Sequence, residues 1–148
     1  RLCAAAGIAK ERLVFVPQGG DDARNQARYA LVDFVLDPMP FGGVNGVLEP
    51  LAARVPVVTL LGRRHGERSA YSILRNLGVT DTIAHSGRDY VDIAVRLAEE
   101  RSFMQTVRDA IQQGLRSSPL VDMPAHTRNL EDAYVEALRR KAPGVLEP

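Results

Sequence analysis

The run Val55-Pro56-Val57-Val58-Thr59-Leu60-Leu61 is the most β-branched stretch of the chain and reads as a buried strand. Pro56 belongs at its first position, where a missing N–H is harmless. Three shorter runs read the same way: Leu13-Val14-Phe15-Val16 before Pro17, Asp33 to Asp37, and Thr82-Ile83-Ala84. Helical stretches separate them, at Ala23 to Leu31, Val47 to Ala53 and Ala70 to Leu77, the last stopped by Gly78. Leu2 to Ala6 reads as a final helical turn closed by Gly7. After the fourth strand Ser86 caps a helix striped by Tyr90, Ile93, Ala94, Leu97 and Ala98. A further helix carries Phe103, Val107 and Ile111, and Ser117-Ser118-Pro119 breaks it. A last one, Thr127 to Lys141, puts Leu130, Tyr134 and Leu138 on one face. Short strands alternating with helices, with no hairpin signal, specify an α/β fold with a parallel sheet and helices on both faces. In such sheets ligands bind beyond the carboxyl ends of the strands.

Two glycine loops leave strands at that edge. The first, Pro38-Met39-Pro40-Phe41-Gly42-Gly43-Val44-Asn45-Gly46, runs into a helix that carries Glu49. A strand, a glycine turn and a helix start can bind an anion through unpaired N–H groups. Glu49 is one helical turn past Asn45, on the same face, where it can take a ribose hydroxyl while the turn holds a diphosphate. An ordinary βα loop, with glycines only for a tight bend, fits the same residues. The second loop, Gly62 to Ser69, contains His65, either an exposed loop histidine or a ligand contact. Its arginines Arg63, Arg64 and Arg68 either face a diphosphate or are solvated. Asp33 and Asp37 bracket a strand, and capping of the following turn accounts for a strand-end Asp.

Of the 148 residues, 45% are hydrophobic and 25% charged, with a net charge of +1. That fits a soluble domain with a real core and offers no field for nucleic acid or an anionic membrane. The single cysteine, Cys3, rules out an internal disulfide and suits a reducing, cytoplasmic compartment. His85 and His126 have no partners at metal spacing, so no metal is expected. The chain opens on Arg1, inside what reads as a helix already under way, and is expected to be part of a longer protein.

Asp33 to Asp37 followed by Pro40-Phe41-Gly42, Asn45-Gly46 with Glu49, and Leu51-Ala52-Ala53 leading to Val55-Pro56-Val57-Val58-Thr59 form an ordered set. Arg75 to Gly78, Asp89 to Leu97 and Ser117-Ser118-Pro119-Leu120 continue it. Together they resemble the donor-binding domain of glycosyltransferase family 41. That family holds the O-linked N-acetylglucosamine transferases and the bacterial adhesin N-glycosyltransferases. The resemblance runs from about Leu2 to about Arg140. It implies the C-terminal, Rossmann-like half of a GT-B enzyme, with residues 1–141 as a nucleotide-sugar-binding domain; 142–148 has no pattern and reads as a disordered tail. It implies a UDP-sugar donor, a protein acceptor modified on Ser, Thr or Asn, inverting transfer, no metal cofactor and an N-terminal half elsewhere in the protein.

The resemblance matches Gly43, Val44, Asn45 and Gly46 to the diphosphate loop and Glu49 to the ribose acid. The chain departs from the O-linked enzymes, which carry a His and two Thr where it has Val44, Asn45 and Gly46. The family also places a histidine shortly after the first strand. Here Pro17-Gln18-Gly19-Gly20 and then Asn25 occupy that stretch, so Gln18 and Asn25 are carried as donor-binding candidates together with His65. The resemblance assigns no catalytic base to this chain. A degenerate, non-catalytic α/β interaction or regulatory module is the alternative, motivated by the missing histidine.

Overall fold

The computed structural model describes residues 2–17 and 20–142. Three parallel strands form the sheet in the order β1-β2-β3: β1 (Val35–Leu36), β2 (Val57–Leu60) and β3 (Ile83–Ala84). Val35 pairs with Val57 and Leu36 with Val58, and Thr59 pairs with Ile83 and Leu60 with Ala84. The N–H of Val35 donates to the Pro56 carbonyl at 2.8 Å, so Pro56 joins the ladder through the one group it has to offer. Val57, Val58 and Thr59 are all buried although successive residues point to opposite faces, so β2 is covered on both sides.

Among the described residues the α-helices are α1 (Leu2–Ala5), α2 (Asp22–Ala27), α3 (Asn45–Ala52), α4 (Ser69–Leu77), α5 (Gly87–Glu99), α6 (Arg101–Ser117) and α7 (Met123–Lys141). Helix α3 links β1 to β2 and α4 links β2 to β3. Both crossovers advance the same way across the sheet, so right-handed connection places them on one face. Their apolar stripes do the burying: Val47 and Leu51 on α3, and Ala70, Ile73, Leu74 and Leu77 on α4. Helix α5 packs against β2 and β3, and α6 packs against α5 and α4 through Phe103, Val107 and Ile111.

The expected caps are present. The Ser86 hydroxyl accepts from the Asp89 N–H at 3.1 Å, and Gly7 and Gly78 close their helices in the left-handed region. Helix α2 starts one residue earlier than expected, because the Asp21 carboxylate caps the Arg24 N–H at 2.8 Å. It then tightens into a 3₁₀ turn over Arg28–Leu31. No helix among the described residues is long and apolar enough to cross a membrane.

Two expectations need correction. Leu13 to Val16 is not a strand: it joins no ladder among the described residues, and Val14 and Phe15 are 80% and 89% exposed. An apolar β-branched run fits a pleated, half-buried surface, and without a neighbouring strand among the described residues it has no ladder to join. The other strands are shorter than their apolar runs, since pairing stops where the parallel neighbour ends. The Leu130, Tyr134 and Leu138 face of α7 exists, but all three side chains are exposed. The proposed tail falls almost wholly on 143–148, outside the described residues.

One position carries backbone strain. Arg54 follows the C-terminus of α3 with φ of 62°, the left-handed region that glycine occupies freely. Arg54→Gly is expected to raise the stability of the protein by about 0.5–1 kcal/mol, the relief of strain exceeding the entropy cost of glycine. Thermal unfolding checks it, and a lower midpoint would mean that contacts of the Arg54 side chain outweigh the strain.

Candidate functional site

The first loop is built on Asp37, the residue that ends β1. Its carboxylate is buried: Oδ2 accepts from the Thr59 hydroxyl on β2 at 2.8 Å, and Oδ1 accepts from the Gly43 N–H at 3.1 Å. Its carbonyl accepts from the Tyr90 hydroxyl on α5 at 3.0 Å. Burial, and then the Asp37 charge, push the Tyr90 phenol up, which keeps it a donor. The turn-capping reading of Asp37 therefore holds, and one side chain ties the loop to two strands. A side chain at Gly42 would place its Cβ 2.8 Å from the Asp37 carboxylate, so glycine is required there by the tether.

The turn ends at Val44, which precedes α3 and offers no side-chain cap. Gly43 donates its N–H to Asp37, and at the start of α3 the N–H groups of Val44, Asn45 and Gly46 have no partner among the described residues. All three residues are exposed. A Cβ at Gly46 would meet nothing within 4 Å, so packing does not demand glycine there, and the backbone stays open to approach.

Glu49 is half-buried one turn along α3. Its Oε2 accepts from the Tyr29 hydroxyl at 3.0 Å and lies 3.5 Å from Arg28 Nη2. Arg28 also donates to the Tyr29 hydroxyl at 3.1 Å. Oε1 has no hydrogen-bond partner among the described residues. Asn25 sits on α2, three and four residues before Arg28 and Tyr29, hence on the same side of the helix. Its buried Oδ1 has no partner among the described residues. Gln18 lies outside the described residues. Sequence reasoning missed Arg28 and Tyr29, which read as part of an ordinary amphipathic helix. The one available signal was Glu49 itself, a carboxylate on the flank of a buried helical stripe that calls for a cation or hydroxyl opposite.

The second loop lies against the first. The Phe41 ring sits on Gly66, where an added Cβ would come within 3.1 Å of Cε2. Glu67 folds the loop by accepting the Arg63 N–H at 2.9 Å and the Arg64 N–H at 3.1 Å. The Arg64 bond first, then the Arg63 bond, hold its carboxyl below the usual carboxylate range. His65 is exposed and lines a cavity of about 440 Å³ together with Val44, Arg68 and Tyr71. Between the loops a smaller cavity of about 170 Å³ is lined by Asp37, Met39, Gly42 and Glu67. The structure thus joins Val44, Asn45, Gly46 and His65 along one edge. Glu49 instead meets Arg28 and Tyr29 on the turn that follows α2, and Asn25 sits on α2 itself.

The sequence model of Glycosyl transferase family 41 matches residues 1–130. A probable UDP-N-acetylglucosamine–peptide N-acetylglucosaminyltransferase SPINDLY of Petunia hybrida is 30% identical over 138 residues, which is 93% of this chain and 15% of that protein. A UDP-N-acetylglucosamine–peptide N-acetylglucosaminyltransferase of Caenorhabditis elegans is 27% identical over 98% of this chain and 12% of its own length. Among solved structures, a mutant O-GlcNAc transferase of Thermobaculum terrenum superposes with a TM-score of 0.85 at 32% identity, over 93% of this chain and 26% of that one. The chain therefore spans only a small part of the length of the relatives it matches.

Proposed function

The chain belongs to Glycosyl transferase family 41, and we propose that it is the nucleotide-sugar-binding, C-terminal part of a GT-B enzyme acting on proteins. The donor is a UDP-sugar, N-acetylglucosamine or a hexose, and the acceptor is a Ser or Thr hydroxyl or an Asn amide. The observation that carries this reading is the open start of α3. Three exposed residues, Val44, Asn45 and Gly46, present N–H groups with no partner among the described residues, and Glu49 follows one turn on with a carboxylate oxygen that has none there either. The names of the relatives, which specify a UDP-linked donor and a peptide acceptor, support it.

In this reading the diphosphate lies on Val44 to Gly46 and Glu49 Oε1 accepts from a ribose hydroxyl. Arg28 and Asn25 border the nucleoside, and His65 faces the donor from the second loop. The acceptor oxygen or nitrogen attacks the anomeric carbon from the side opposite the diphosphate. As that bond forms, the bond from the anomeric carbon to the β-phosphate oxygen breaks and its electron pair leaves with UDP. The acceptor proton passes to a base in the other half of the enzyme. The α3 N-terminus, equivalent to roughly half a positive charge, opposes the charge that grows on the phosphate, and no metal is invoked. A cytoplasmic location goes with this assignment.

Calorimetric titration of the protein with UDP tests it. Asn45→Ala and Glu49→Ala are each expected to weaken binding about tenfold, the worth of one charge-assisted contact. An unaltered affinity in both variants, or no binding by the wild-type protein, would overturn the site. A second reading, a regulatory module that has lost donor binding, is favoured by the engagement of Glu49 Oε2 with Arg28 and Tyr29. Hydrolysis of UDP-N-acetylglucosamine by the longer enzyme that contains this chain separates the two, since a degenerate module gives none there, whereas this chain alone is expected to transfer nothing.

A further inference from the structure

The 440 Å³ cavity beside Val44 is lined by a cation, Arg68, that pairs with no carboxylate among the described residues. Arg68 is half-buried at the entry to α4. Its guanidinium lies over the Tyr71 ring, 4.8 Å from the centroid, and Nη1 donates to the Gly62 carbonyl at 3.1 Å. Those two contacts fix its direction, and only one of its five N–H donors has a partner among the described residues. It makes no ion pair with a carboxylate there. The neighbouring arginines differ. Arg63 is exposed, and Arg64, with 89% of its side chain exposed, approaches Glu67.

We propose that Arg68 is a donor-binding cation of this site, gripping the terminal phosphate of the nucleoside diphosphate across the cavity from Val44. This rests on the donor-site reading above and adds a residue to it. A helix start supplies about half a charge, less than a diphosphate carries, and most of the leaving group's new charge falls on its terminal phosphate. A guanidinium with free, preoriented donors matches a phosphate in two-point geometry. Phe41 on Gly66 fixes the distance between the two loops, so Arg68 is positioned relative to α3 before any ligand arrives. His65, on the same cavity wall, is then placed toward the sugar side of that phosphate.

The test compares UDP with UMP, which lacks the terminal phosphate, by calorimetric titration of wild-type, Arg68→Ala and Arg68→Lys protein. Arg68→Ala is expected to weaken UDP about tenfold or more and to change UMP less than about twofold, because one charged phosphate contact is lost. Arg68→Lys keeps the charge without the fork and is expected to recover part of the UDP loss. UDP binding unchanged in Arg68→Ala overturns the proposal while leaving the donor site standing. Equal weakening of UDP and UMP overturns it too, by showing that Arg68 only shapes the loop. Absence of UDP and UMP binding in the wild-type protein removes the donor reading itself and this proposal with it.

Discussion

Asp37→Ala is expected to lower the stability of the protein by about 3 kcal/mol and to weaken UDP binding in the same variant. The carboxylate bonds the Thr59 hydroxyl on one oxygen and the Gly43 N–H on the other. Hydrogen bonds to a charged group contribute roughly 1.5–3 kcal/mol each, and their removal leaves a buried hydroxyl and a backbone N–H without partners. The Thr59 hydroxyl has no other partner among the described residues, in a strand buried on both faces. Asp37→Asn is expected to be milder, about 1 kcal/mol, since the amide can still accept from one group and donate to the Thr59 oxygen. Thr59→Val placed on top of Asp37→Ala is expected to recover about 1 kcal/mol, as an apolar pair leaves no orphaned hydroxyl. Urea unfolding midpoints with a constant slope measure all three. A UDP affinity that stays at the wild-type value in folded Asp37→Ala would show that the start of α3 holds its shape without the tether. Additivity of Asp37→Ala and Thr59→Val would show that the two side chains are uncoupled.

The parts of this molecule legible in the sequence are those determined within one element. The β-branched run at Val55 to Leu61, the Ser86 cap and the Phe103, Val107, Ile111 stripe are local, and the structure places them as the spacing requires. The glycine turn was legible as a turn, yet the roles of its glycines were not. Gly42 answers to the Asp37 carboxylate and Gly66 to the Phe41 ring, partners that only the fold brings near. The fate of the Gly43 N–H likewise depended on where Asp37 points. Arg28 and Tyr29 escaped because they meet Glu49 across some twenty residues of chain, with a 3₁₀ turn redirecting them. Leu13 to Val16 failed for the converse reason: its propensity was local, but a strand exists only where another lies beside it.

Gly114→Ala is expected to destabilise the protein by about 3 kcal/mol or more, against the sign that helix propensity gives. In an exposed helix interior the exchange gains roughly 1 kcal/mol. Gly114, however, is buried in α6 where that helix crosses α4, and an added methyl would run into the Leu77 carbonyl oxygen. It would also lie 2.8 Å from Leu77 Cγ. Neither group can give way easily. The carbonyl belongs to the last turn of α4, fixed by the left-handed Gly78, and the Leu77 side chain fills the core. Relief requires α6 to move away from α4, opening contacts that Val107 and Ile111 make, and overpacking of this kind costs about 1–3 kcal/mol or more. For a chain of this size that lowers the melting temperature by about 10 °C. Gly87→Ala is the control: also helical, with nothing within 4 Å of its Cβ, it is expected to leave the melting temperature within about 2 °C. Since Leu77 is at the end of α4 remote from Arg68, Gly114→Ala kept below its melting temperature should bind UDP like the wild type. A melting temperature equal to that of Gly87→Ala would mean that α6 can slide on α4 without loss. A stable variant with weakened UDP binding would show instead that the helix crossing is coupled to the loops at the other end of α4.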